Sequence, residues 1–312
     1  TKIKANASKH HALSWGYAHK LEKQLKDEIK ELLNKAKQAD KEDLPEGMNI
    51  PEELARRESR LEAIAAAKAL IEQRAAERFA KEQQAYEEKL SARKAKEKET
   101  GKKPKGRSPI PPEPGPKNKD QVNLTDSDSR IMPSQGGGFE QAYNGQAAVD
   151  IETMLIVENH ITQQSNDKLE VTPAVENLSS LPEKLGTVNK LLADTGYFGS
   201  DNVEECETNK IIPYIAPKRQ KHNAPLQDRF TEPEPLTDPA DPVTEMKHRL
   251  KTVAGKAVYA KRKCTVEPVF GIIKAAMGFR QFLLRGLDRV AGEWDLVCMA
   301  YNIKRLYALS SP

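Results

Sequence analysis

Two acids in this sequence stand where a strand or helix could present them to a ligand. Asp194 closes the apolar run "TVNKLLAD" and is followed by Thr195, Gly196 and Tyr197. In open α/β sheets ligands gather beyond the carboxyl ends of strands, and a glycine there permits a sharp turn. The same aspartate would equally cap the next helix, and this stretch leaves both roles open. Glu267 lies in "KCTVEPVFGIIK", where Val266, Val269, Phe270, Ile273 and Met277 form one helical stripe. Lys274 follows seven residues later on the same face, because seven steps of ~100° nearly complete two turns. A carboxylate and a cation beside an apolar stripe suit a site for metal and phosphate, although an ordinary rim pair has the same spacing. Pro268 belongs in a first turn, with Thr265 near the N-cap, or kinks a longer helix.

Cations surround Glu267: Lys261, Arg262, Lys263, Arg280 and Arg285. In "GFRQFLLRGL" they interleave with aromatics, and arginine forks onto phosphate oxygens while aromatic rings stack on unpaired bases. A helix with exposed arginine and buried phenylalanine reads the same way, so it is the neighbourhood of Glu267 that adds weight. Overall charge adds little: 50 Lys and Arg against 46 Asp and Glu give +4. The three cysteines lack metal-ligand spacing and read as reduced thiols. No apolar run approaches the ~20 residues of a membrane span. Asp126 and Asp128 in "NLTDSDSR" are further acids, expected to serve a turn or docking role.

These residues need positioning elements. Residues 1–8 read as the end of a strand. Leu21, Leu25, Ile29, Leu32 and Ala36 repeat at helical spacing, and "DLPEGMNIPEE" then breaks the helix. Pro51 with Glu52 and Glu53 starts a second helix, striped by Leu61, Ile64, Ile71, Ala75, Phe79, Tyr86 and Leu90. The pair reads as an antiparallel helical hairpin, an arm with a thin apolar seam. "RKAKEKETGKKPKGR" and "SPIPPEPGPKNKD" follow. The basic run is a solvated helix end or a phosphate-contacting arm, and the proline-dense part is an extended linker. Beyond residue 120 the order is hairpin, helix (167–181), strand, helix, strand, a proline-rich loop (217–245) and helices near 256–277 and 288–309. The hairpin turns near Glu152 and Thr153 or at Asn144-Gly145. The whole is α/β, a mixed sheet covered by helices.

"LLADTGYFGSDN", "VEPVFGIIKAAMGFRQFLLRGLDRVAGEWDLVCMAYNIKRL", "TDSDSRIM" and "AYNGQAAVD" occur in an order that resembles bacterial insertion-sequence transposases of the DDE class. The subgroup resembled carries a long helical insertion after its first strand, and the opening "TKIKANASKH" with its helical arm is similar to that pattern. The resemblance implies a ribonuclease-H-like mixed sheet flanked by helices and interrupted by a helical hairpin. It divides the chain into a first-strand remnant (1–10), the hairpin (11–100), a basic, proline-rich linker (101–120) and the catalytic domain (121–312).

The resemblance also implies DNA cleavage and joining at element ends by two Mg2+ or Mn2+ ions on three acids. Asp194 and Glu267 stand for the second and third, and would be both catalytic and metal-binding. Lys274 would contact DNA with Lys263, Arg262, Arg280 and Arg285, and Tyr259 lies one step off the family's usual spacing. The first acid belongs to an Asp-Gly-Thr sequence and would lie two residues before Thr1, so the present chain is expected to be inactive. Expected partners are double-stranded DNA, as terminal inverted repeats and target, and further copies of the protein. The expected location is the bacterial cytoplasm, at the nucleoid. The alternatives are a DNA-binding remnant without chemistry and a coiled-coil scaffold.

Overall fold

The computed structural model describes residues 1–38, 49–101, 106–134, 136–218, 230–236 and 240–310. Contacts divide the chain into two units, one of residues 1–7 with 128–312 and one of residues 8–127. Contact thus changes units at 7/8 and 127/128, where the sequence reading drew its lines near residues 10 and 121.

The second unit is built on strand β2 (Ala12–Ser14), helix α1 (Trp15–Gln38), helix α2 (Ile50–Thr100) and strand β3 (Gln121–Asn123). Strands β2 and β3 pair antiparallel. Leu21 and Leu25 of α1 bury against Ile64, Ala67 and Ile71 of α2. Glu22 meets Lys68 at 2.9 Å and Glu28 meets Arg57 at 2.8 Å, so the helices run antiparallel, as their stripes predict. Asn49 caps α2, with Pro51 and two glutamates in its first turn, and left-handed Gly101 ends it. The turn read at "DLPEGMN" lies largely outside the described residues, as do Lys102, Lys103, Pro104 and Lys105 of the basic run.

The proline-rich segment is tied along α2. Arg93 donates to the carbonyls of Gly106 and Arg107, Arg78 to Gly115 and to the Asp120 carboxylate at 2.8 Å, and Arg74 to Ser127. Proline-rich backbone has carbonyls without helical or ladder partners, and spaced arginines on one helix satisfy them.

The first unit centres on strand β5 (Phe139–Val149), buried through most of its length. Strand β1 (Lys2–Lys4) pairs antiparallel with one edge, and strands β4 (Arg130–Pro133) and β6 (Ile156–Thr162) pair with the other. Of the two turn positions read for the hairpin, the one near Glu152 is used; Asn144-Gly145 lies inside β5. A Cβ at Gly145 would stand 3.3 Å from both Ile3 and Trp294, so this glycine serves close packing. Helix α3 (Val171–Ser179) covers β6, after a short 3-10 turn at Asp167–Leu169 where one continuous helix was expected.

Strand β7 (Lys190–Ala193) pairs parallel with β8 (Ile212–Ile215), and helix α4 (Ser200–Thr208) connects them. The expected loop at 217–245 is interrupted by helix α5 (Pro242–Arg249), with Pro242 in its first turn and Asp241 accepting from the Thr244 amide at 3.1 Å. Residues 219–229 and 237–239 of that stretch lie outside the described residues. Helix α6 (Val253–Gly271) carries Pro268 inside it and passes into a π-helical turn at Ile272–Ala276. The proline therefore sits within a longer helix, and Thr265 bonds back to the Lys261 carbonyl at 2.6 Å instead of capping.

Helix α7 (Leu287–Ser310) closes the core. Trp294 is fully buried, packs on Phe270 and Phe279, and donates to the Gln146 carbonyl at 3.0 Å. Asn302 bonds both main-chain groups of Ile156, and Arg305 donates to the Thr153 carbonyl at 2.7 Å. Asp128 accepts from the Leu287 amide at the start of this helix, a docking role. Trp294→Ala should destabilise this unit by about 3–5 kcal/mol in urea unfolding followed by circular dichroism. Trp15, the other tryptophan, remains to report the helical unit by fluorescence and should show an unchanged transition.

Candidate functional site

Asp194 follows β7 directly, and one of its oxygens caps the turn behind it by accepting from the Gly196 amide at 2.8 Å. The other faces Arg262 at 4.0 Å. Capping thus occupies one oxygen, at the 3-10 turn Thr195–Tyr197 instead of the following helix, and the other faces the guanidinium. Glu267 projects from α6, and its Oε1 accepts from Arg262 at 3.0 Å. Arg262 thus stands between the two acids, which are about half exposed while its own side chain is largely buried. Among the described residues its Nε is buried without a hydrogen-bond partner. Tyr259, one turn earlier on α6, lies in the same field; burial raises its hydroxyl pKa, opposed by Arg262 and supported by Asp194 and Glu267. Lys263 is exposed.

Lys274 lies on the π-helical turn and reaches β1, donating to the Thr1 hydroxyl at 2.6 Å. Burial lowers its pKa. Arg280 donates to the Lys274 carbonyl, and Arg285 to the Asn6 carbonyl at 2.9 Å. These two arginines thus brace the loop after the π turn and the end of β1 while their side chains stay exposed.

The sequence reading missed Asp167, although one oxygen of this residue collects Lys2 at 2.8 Å, Asn144 at 2.7 Å and Gln146 at 2.9 Å. Its second oxygen faces Gly196, beside Asp194. Gln146 in turn accepts from the Tyr197 hydroxyl. Burial works against the Asp167 charge, yet the bonds from Lys2 and Asn144 hold its pKa below the usual carboxylate value. "SNDKLE" carries no periodicity and no spacing to another acid, so only the fold reveals it.

His160 is held between two buried carboxylates, with Nδ1 2.7 Å from Glu158 and Nε2 3.0 Å from Glu170. Asn177 donates to the same Glu158 oxygen. With an acceptor at each nitrogen, the ring carries both protons. Burial opposes that charge, and the two glutamates outweigh it, raising the pKa to about 9.

Hard carboxylate oxygens are suitable donors for Mg2+. Asp194 and Glu267 are nevertheless only two, with a guanidinium between them. Among the described residues no group of three or more His, Cys, Asp or Glu side chains converges to hold a metal ion. As it stands, the donor set does not fit a two-ion centre.

The family model of the transposase DDE domain matches residues 114–303, more than half of the chain. The chain belongs to this family. That agrees with the resemblance to insertion-sequence DDE transposases carried by "LLADTGYFGSDN" and "VEPVFG", both within the matched span. No curated protein and no solved structure matches this chain. Among the described residues no helix is long and apolar enough to cross a membrane.

The ordinary histidine pKa is about 6.5, so stabilisation by the Glu158–His160–Glu170 cluster is complete below that value and is lost as pH rises through about 9. Thermal melts of the protein at pH 6 and pH 9.5 should show a larger drop for the wild type than for His160→Gln.

Proposed function

We propose that this chain carries the greater part of a DNA transposase that cleaves and joins phosphodiesters at the ends of an insertion sequence. The reading rests on one observation. Asp194, at the end of β7, and Glu267, on α6, converge on Arg262 in a chain whose residues 114–303 match the DDE domain. In this reading the mixed α/β unit is a ribonuclease-H-like domain and the helical unit is its insertion; the antiparallel and parallel strand pairs flanked by helices support it. A hydroxyl oxygen, of water or of a DNA 3' end, attacks phosphorus, and the opposite oxygen leaves without a covalent enzyme intermediate. Catalysis of this kind is positioning and charge.

The third acid would be the residue two before Thr1, on the strand that continues into β1. With it in place, Asp194 and Glu267 would be ligands for Mg2+ or Mn2+. Without it, the two acids remain neutralised by Arg262 and the chain is inactive. Lys274, half-buried beside Thr1, would contact a phosphate near the bond that breaks. Arg262, Lys263, Arg280 and Arg285 would meet the DNA backbone around it. Two element ends must be joined in one event, which favours self-association on DNA, in the cytoplasm of a bacterial cell.

A second reading, a DNA-binding remnant without chemistry, draws on the lack of a three-acid cluster among the described residues. The two readings separate in one assay. The present chain should leave an element-end duplex uncut in Mg2+. A form extended upstream, with aspartate two residues before Thr1, should nick it. In that form Asp194→Ala and Glu267→Ala should each lower cleavage by at least about a hundredfold while binding to the duplex stays within a few fold. Normal cleavage by either variant removes that acid from the site, and an inert extended form favours the remnant. Binding by both forms should weaken steeply with salt, whereas a coiled-coil scaffold would show no such dependence.

A further inference from the structure

Helix α7 is apolar on two faces. Val290, Trp294, Cys298 and Tyr301 are buried in the core. Leu296, Met299, Ile303 and Leu306 recur at i, i+3, i+7 and i+10, a second stripe that the helical repeat turns away from the first. These four are 61%, 53%, 60% and 51% exposed. A helix that is apolar all round is normally buried all round, and an ordered row of exposed large side chains, unlike a scattered one, marks a contact surface.

The row is bare of charge. From Leu296 to Leu306 the charged residues are Lys304 and Arg305. At ~100° per residue Lys304 stands on one flank of the stripe, and Arg305 turns toward the core, where it bonds the Thr153 carbonyl. Between Leu296 and Leu306 this face therefore offers no cation to a phosphate backbone. Glu293 lies on the same flank as Lys304, and Asp295 lies on the other. Glu293 also holds the amides of Leu283 and Leu284 at 2.9, 3.1 and 2.9 Å, which sets two more exposed leucines beside the row.

These charges decide what can cover it. Antiparallel helices related by a two-fold axis bring like flanks together, and parallel helices bring opposite flanks together. A parallel pair would set Glu293 beside Asp295 of the second copy, acid against acid. An antiparallel pair whose axis passes midway between Leu296 and Ile303 sets Leu296 against Ile303 of the second copy. It sets Met299 against Ala300, a large side chain against a small one. It also brings Glu293 within ~3 Å of rise of Lys304 on the flank they share. The stripe is complementary to itself in shape and in charge.

We propose that the exposed face of α7 is a homodimer interface, occupied by the same face of a second copy in an antiparallel, two-fold arrangement. The contact forms without DNA, whereas the function proposed above places self-association on DNA. It needs no metal and no third acid, so it stands or falls apart from the nuclease reading. One helix face on each side makes a small interface, and dissociation is expected in the micromolar range.

The test is sedimentation equilibrium of the nucleic-acid-free chain across the micromolar range, which should show a monomer–dimer equilibrium. Ile303→Glu, at a position already in solvent, should weaken dimerisation at least about tenfold with an unchanged circular dichroism spectrum, because it buries a charge in the contact. Orientation is read by cross-linking in a Cys264→Ser background, which removes the exposed native thiol. Under mild oxidation Met299→Cys should form an intermolecular disulfide and Leu306→Cys should not, since the axis passes beside Met299 and ~10 Å of rise from Leu306 in each copy. Cross-linking at both positions would mean a parallel pair, and at neither a different surface; either overturns the proposal. So does a chain that stays monomeric, a dimer that Ile303→Glu leaves intact, or association that appears only with duplex DNA.

Discussion

The pairing of β1 with β5 is the constraint on which the first unit depends. Lys2, Ile3 and Lys4, matched to Asn144, Tyr143 and Ala142 and flanked by bonds from Thr1 to Gly145 and from Ala5 to Gln141, hold the start of the chain to its centre. This short ladder places Ile3 under Trp294 and Phe282 in the main core. It sets Lys2 against Asp167 and Thr1 against Lys274. Asp167 extends the same constraint to the end of β7, because the carboxylate that fixes Lys2 also lies against Gly196. Asp194 is thus located by the pairing of a strand remote from it in sequence.

The electrostatics around that point favour compensation over exposure. Arg262 answers Asp194 and Glu267, Lys2 answers Asp167, and His160 answers Glu158 and Glu170. The three clusters differ in burial. The His160 cluster is nearly dry, where an unpaired charge is costly. Around Arg262 the carboxylates are about half exposed, so solvent screens them and the guanidinium is easier to exchange for another partner. Deep charges hold β6 to α3, and shallow ones leave Asp194 and Glu267 available.

Much of this was legible where a repeated physical rule acts along the chain. The stripes of α1 and α2, the apolar run before Asp194 and the helix around Glu267 follow from periodicity, and the local order of strands and helices after residue 120 follows from turn chemistry. What escaped depends on contacts distant in sequence. Asp167 takes its partners from β1 and β5, and His160, although beside Glu158 on its own strand, completes its pairing only with Glu170 ten residues on, so the local sequence shows at most part of each contact. Arg262 and Lys263 are equivalent by type and adjacent in sequence, and only the turn of α6 sends Arg262 between the acids. Helix α5 was hidden by the prolines around it, although Asp241-Pro242 is a helix start. The tethering of the proline-rich stretch to Arg74, Arg78 and Arg93 was invisible because carbonyl acceptors have no sequence signature.

The pairing of β2 with β3 bears on how quickly the molecule can assemble. In a chain that must bring Ala5 to Gln141, the unfolded loop is roughly 135 residues long. Once Ala12 is paired with Asn123, the remaining path is roughly 25 residues, lowering the closure entropy by about 1.5 kcal/mol. Between those strands each helix is held by its own i to i+4 hydrogen bonds, and the two are joined by contacts 29 to 46 residues apart, such as Glu28 with Arg57 and Glu22 with Lys68. The β2–β3 pair therefore lowers the entropic cost of bringing the first strand to β5.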